Sequence, residues 1–139
     1  MSEPKAEAQR WLDAAREDFA AARLLAGAGH HAQACFLAQQ VAEKAVKAVH
    51  YARGARVVIG HNVRALIEQL APSAAALDGL RDAARELDLL YVPTRYPNGL
   101  DRGTPGQAFS AAQSTRALDL AARFLGAAGS LPELASRSG

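Results

Sequence analysis

Phe36-Leu37-Ala38-Gln39-Gln40-Val41-Ala42-Glu43-Lys44-Ala45-Val46-Lys47-Ala48 is the stretch that decides the fold of this chain. At about 3.6 residues per turn of helix, Phe36, Gln39, Gln40, Glu43 and Lys47 share one narrow stripe, with Lys44 at its edge. Ala34, Leu37, Ala38, Val41, Ala45, Ala48 and Ala52 fill the opposite side. A surface helix has an apolar stripe and a broad polar face, and here the proportions are reversed. The helix therefore reads as central, with one polar stripe directed at something specific. Phe36 lies in that stripe and is ill suited to open water. The stripe is thus expected at a subunit interface or in a covered cleft, and the interface is the preferred reading.

Working outward, the spacing of apolar residues predicts five helices and no strand. The first covers about 5–26, with Trp11, Leu12, Ala15, Phe19, Ala22 and Leu25 at core spacing, and Gly27 and Gly29 end it. The second spans 31–52. The third begins at His61 or Asn62, with Asn62 as a suitable N-cap, and ends before Pro72. The fourth places Leu77, Leu80, Ala84, Leu87 and Tyr91 on one face, and Pro93 terminates it. The fifth opens with a capping-box pattern at Ser110-Ala111-Ala112-Gln113 and turns Ala117, Leu118, Ala121, Phe124 and Leu125 inward. The expectation is one all-α, mostly antiparallel bundle over 1–128, followed by a flexible tail over 129–139. The long connection 93–109 is of a kind that is functional or disordered, and its aromatics Tyr96 and Phe109 argue for order.

Composition narrows the class. The chain of 139 residues fits one domain. Alanine supplies 33 of them, which favours close-packed helices. Each alanine buries little area, so such a bundle is expected to complete its core at a subunit interface. No apolar run reaches the length of a membrane span, and Met1-Ser2-Glu3-Pro4-Lys5 does not open a signal peptide. A cytoplasmic location is the expectation. The single cysteine, Cys35, excludes an internal disulfide. The formal charge of +2 is too small to argue for nucleic acid by itself. His30 and His31 are adjacent and diverge on a helix, and no His pair has the i, i+4 spacing of a metal site. No metal or cofactor is implied, and no Gly-rich phosphate loop is present.

A second unusual segment, Leu87-Asp88-Leu89-Leu90-Tyr91-Val92-Pro93-Thr94-Arg95-Tyr96-Pro97-Asn98, follows about half a chain later. The order of Trp11, Gln40-Val41-Ala42-Glu43-Lys44, Gly60-His61 and Arg95-Tyr96-Pro97 resembles the stand-alone prokaryotic branch of the HEPN family (higher eukaryotes and prokaryotes nucleotide-binding) over about 8–127. The resemblance implies a helical bundle, a homodimer, binding of a nucleotide or RNA, and a minimal nucleotidyltransferase as partner in a toxin–antitoxin-like pair. It also implies metal-independent RNA cleavage in those relatives that carry an Arg, four to six arbitrary residues and a His. In them the Arg holds a phosphate and the His moves protons.

The sequence departs from that motif. The matching Arg is Arg95, and Leu100, Asp101 and Arg102 stand where the His would be. The same spacing occurs at Arg23…His30 and Arg56…His61, as chance produces in a chain with 13 Arg and four His. Arg95 is therefore the first candidate for an anion, with a salt bridge to Asp88 or Glu43 as the alternative. His61 is the best-placed proton carrier for a ribonuclease, although helix capping or packing also suits it. Glu43, Lys44, Lys47, Tyr91 and Tyr96 are candidate ligand-binding residues. Solvated Glu–Lys pairs and core tyrosines are the plainer readings, and a non-catalytic dimeric scaffold is the plainest for the whole.

Overall fold

The computed structural model describes residues 3–135. It is built from three long helices, α1 (Pro4–Gly27), α2 (His31–Ala52) and α7 (Ala111–Ser130). The short helices α3 (Val63–Glu68), α4 (Ala75–Asp78), α5 (Arg81–Asp88), α6 (Pro105–Ala108) and α8 (Pro132–Ala135) complete it. Among the described residues there is no strand.

Helix α2 is the axis of the bundle. It packs most extensively against α1 and α7, and also meets α3, α5, α6 and α8. Ala34, Cys35, Ala38, Val41, Ala42, Ala45, Val46, Ala48 and Val49 on this helix are fully buried. Small side chains let α1 and α7 approach closely on two sides. Phe124, Leu120 and Leu12 supply the bulk from the neighbouring helices, while Leu66, Leu77 and Leu87 close the far end. His31 Nδ1 lies 2.8 Å from Ser114 Oγ, a polar tie between α2 and α7. Burial also pushes the Cys35 thiol up to about 11.

The caps form where the sequence places them. Asn62 accepts from the Ala65 amide, and Ser110 and Gln113 form a reciprocal capping box. The fourth predicted helix is corrected. Its inward positions Leu77, Ala84 and Leu87 are buried, but α4 stops at Gly79, and α5 ends at Asp88 with turns following to Arg95. At the end of α5 the Asp88 carboxylate serves α3, accepting from the amides of Val63 at 2.8 Å and Arg64 at 3.1 Å. An acidic group at a helix N-terminus satisfies orphan donors and complements the dipole.

The connection 93–109 is structured. It holds a 3₁₀ turn at Pro97–Gly99, and α6 with its own capping box between Thr104 and Gln107. Helix α7 runs to Ser130, α8 follows, and Leu134 is buried. Arg53 donates to Glu133 at 2.9 Å, fastening α8 to α2, and that hydrogen bond holds the Glu133 carboxyl below its ordinary value. Residues 136–139 of the expected tail lie outside the described residues. Among the described residues no helix is long and apolar enough to cross a membrane.

Two outcomes are expected. Asp88→Ala removes the acceptor for two α3 amides and costs about 1–3 kcal/mol in urea unfolding. Cys35, neutral and buried, resists iodoacetamide at pH 8 in the native protein and reacts once the chain is denatured.

Candidate functional site

The polar stripe of α2 is covered within the chain. Glu43 is the centre of the network. Its side chain is 5% exposed, and Lys47, 7% exposed, donates to Glu43 Oε2 at 3.1 Å. Gln40 donates to Glu43 Oε1 at 3.2 Å. His61 Nδ1 lies 3.3 Å from each carboxylate oxygen. Gln39 anchors the same segment by donating to the His61 carbonyl at 2.8 Å and to Asp88 Oδ1 at 3.4 Å. Among the described residues no buried side-chain polar atom lacks a partner. A charged pair this deep is tolerated only with such compensation.

His61 does not cap α3, since Asn62 does so. Its side chain is 60% exposed and stacks on the Tyr91 ring, with centroids 4.9 Å apart. With Nδ1–H donated to Glu43, the neutral ring presents Nε2 as its acceptor. Carboxylate, imidazole and outward Nε2 form the pairing that orients a proton carrier.

Arg95 packs on the same Tyr91 ring. Its guanidinium carbon is 4.2 Å from the centre of the Tyr91 ring, 4.8 Å from Tyr96 and 4.9 Å from Phe36. Nε donates to the Tyr91 carbonyl at 2.8 Å. Arg95 and His61 therefore both rest on Tyr91, no farther apart than the sum of their two distances from that ring. The expected alternative for Arg95, a salt bridge to Asp88 or Glu43, is absent, because both carboxylates serve other groups. Among the described residues Arg95 has no ion pair, and it lines a cleft.

That cleft encloses about 620 Å³ between α2 and the 93–109 connection. Leu25, Phe36, Leu37, Arg95, Thr104 and Pro105 are among its walls.

The remaining candidates divide. Lys47 belongs to the Glu43 network and lies 5.6 Å from the centre of the Trp11 ring, which itself stacks on Tyr51. Lys44 is not brought to Arg95. It donates to Asp18 at 2.6 Å and ties α2 to α1. Tyr96 is half exposed, and its order comes from Arg95 rather than from burial. Phe36 and Asp88 join the site without a sequence signal that marks them as site residues. From sequence Phe36 is only an anomaly in the stripe, and the capping role of Asp88 depends on a helix distant in sequence. Among the described residues no three His, Cys, Asp or Glu side chains gather as a metal site would require.

An alanine-rich central helix presenting a Gln-Gln-x-x-Glu stripe to a Tyr…Arg-Tyr-Pro connection defines an all-α domain of a recognisable kind. The chain belongs to the HEPN domain family, whose model matches residues 8–131. It is similar to the crystal structure of TT1696 from Thermus thermophilus, with 38% identity over 87% of this chain and 94% of that one, and a TM-score of 0.82. It is also similar to ST0689, an archaeal HEPN homologue, with 31% identity over 86% of this chain and 92% of that one, and a TM-score of 0.70. No curated protein matches the chain.

Glu43→Ala strands the Lys47 ammonium in the core and is expected to cost about 3 kcal/mol or more in chemical denaturation. The double variant Glu43→Ala/Lys47→Met recovers most of that loss, because no uncompensated charge remains.

Proposed function

We propose that this protein is a HEPN-type nucleotide- or RNA-binding module that works as a homodimer. It forms the HEPN half of a toxin–antitoxin-like pair with a minimal nucleotidyltransferase. One observation carries the binding reading. The Arg95 guanidinium is oriented by three aromatic rings and one carbonyl, yet is not neutralised by a carboxylate among the described residues. A fold that fixes a planar cation and leaves its charge uncompensated has built an anion receptor, and guanidinium matches phosphate with two parallel hydrogen bonds. Tyr96 beside it offers a ring face for a base. Lys47 and Glu43 contribute by holding His61, and Lys44 by fixing α2. The homodimer and the nucleotidyltransferase partner rest on family membership.

A second reading, a metal-independent ribonuclease, is favoured by the Glu43–His61 pairing beside Arg95. The ribose 2′ oxygen would attack the phosphorus as His61 Nε2 takes its proton, the bond to the 5′ oxygen would break, and that leaving oxygen would receive a proton, while Arg95 holds the phosphate. The family His after Arg95 is missing, so His61 would replace it from another place in the chain.

The test is RNA binding by fluorescence anisotropy, with cleavage followed in EDTA on the same samples. Arg95→Ala is expected to weaken binding tenfold or more, in line with losing about 1.5–3 kcal/mol of charge-assisted hydrogen bonding, and Arg95→Lys to fall between. Unchanged affinity in folded Arg95→Ala would refute the binding reading. Cleavage that His61→Ala loses while RNA affinity is kept would establish the ribonuclease.

A further inference from the structure

We infer that the cavity at the connection from α2 to α3 is a second anion site, which binds a phosphate group between Arg10 and Arg56 with the Tyr51 hydroxyl as a further donor. The inference goes beyond the binding reading at Arg95, because it concerns other residues at the other end of α2.

The two places are separate. The cavity encloses about 510 Å³ where the start of α1 meets the end of α2, and it shares no lining residue with the cleft at Arg95. Phe36 lines the one and Tyr51 the other, which puts them about 22 Å apart along the axis of α2. The volume falls in the range of ~300–1,000 Å³ typical of small-molecule sites. Gly54, at φ +96, has no atom within 4 Å of where a Cβ would stand, so that wall leaves room for a ligand.

Charge and hydrogen-bonding capacity carry the inference. The walls hold two guanidiniums and one carboxylate. The carboxylate, Glu7, is engaged at both oxygens, accepting from Arg10 at 2.8 Å and from Trp11 Nε1 at 3.2 Å. Arg10 spends one N–H on it and keeps the others of its fork. Arg56 has neither an ion pair nor a hydrogen bond among the described residues. The lining thus carries one positive charge in excess, beside a carboxylate that is already satisfied.

Tyr51 adds a donor that two surface arginines alone would lack. It is buried, and its ring stacks on Trp11 with centroids 5.2 Å apart. Its hydroxyl accepts from the Val58 amide at 3.2 Å, and among the described residues nothing accepts the proton that the hydroxyl itself carries. A buried donor without an acceptor is costly, and an anion in the cavity supplies one. A carboxylate has two oxygens in one plane, which a single guanidinium fills. A phosphate spreads its oxygens around a tetrahedron, where two guanidiniums and a phenol can share them.

The experiment is a titration of the full chain at constant ionic strength, followed by proton–nitrogen correlation NMR. The probes are inorganic phosphate, ribose 5-phosphate and an RNA trinucleotide without a terminal phosphate. Trp11 is the one tryptophan of the chain, so its indole N–H, bonded to Glu7, gives a single signal beside the cavity. Inorganic phosphate is expected to move that signal and the amides of Ala55 to Val58 together and saturably, where chloride does not. Arg56 is exposed and without partners, so Arg56→Gln keeps the fold, and it should weaken phosphate binding tenfold or more. Tyr51→Phe keeps the ring stack and should weaken it several-fold. Arg95→Ala should leave it unchanged. Tighter binding of ribose 5-phosphate than of the trinucleotide assigns the site to a free phosphorylated molecule, and the reverse order assigns it to the backbone of RNA. Absence of a saturable shift, an equal shift with chloride, or unchanged affinity in Arg56→Gln or Tyr51→Phe overturns the inference, and each leaves the reading at Arg95 as it stands. Loss of these shifts in folded Arg95→Ala overturns it as well, since the phosphate would then be held at Arg95.

Discussion

The buried carboxylate of Glu43 is the constraint on which the arrangement depends. It sits on a helix otherwise lined with alanine and valine, where an uncompensated charge would be costly. Lys47 supplies the countercharge from one turn away, Gln40 a hydrogen bond, and His61 a third donor from outside the helix. The third donor has the widest consequence. Holding His61 fixes the end of the 54–61 connection and the start of α3, and Asp88 then binds the first amides of that helix. From Asp88 the chain turns directly into Tyr91 and Arg95. One ion in the core thus sets the position of the residues at the surface.

The second element is a cation organised by rings instead of by acids. Salt bridges elsewhere on the molecule pair exposed Arg with nearby Asp or Glu, as in Arg116 with Glu86 and Arg123 with Asp119. Arg95 differs, with Phe36, Tyr91 and Tyr96 around it and, among the described residues, a carbonyl and no carboxylate as hydrogen-bond acceptor. Aromatic faces stabilise a cation without cancelling its charge. The three rings and the carbonyl hold the guanidinium and leave its charge without a carboxylate among the described residues.

Helix α2 shows how much of this is legible without coordinates. Its stripe and its central place follow from periodicity and residue chemistry, while Arg95 stands out only through its match to the family motif. The split of the predicted fourth helix does not, because Leu77, Ala84 and Leu87 keep one inward face whether or not the backbone between them is continuous. Helix α6 escapes because Thr104-Pro105-Gly106-Gln107 is a good capping box for a helix of only one turn, too short to show a period. Helix α8 escapes for the same reason, and what holds it is Leu134 packed on the core and Arg53 reaching Glu133.

The sequence by itself determined the helical class, the three long helices, their inward faces and the Asn62 and Ser110 caps. These depend on residues within a few positions of one another, and helix periodicity and capping are local physics. Tertiary structure alone decided the partners: that Glu43 meets His61 across 18 residues of chain, that Asp88 serves α3 while Arg95 has no ion pair among the described residues, and that Lys44 turns to Asp18. A carboxylate accepts from whichever donor the packing brings near. That choice is settled by the whole core, so no local pattern records it.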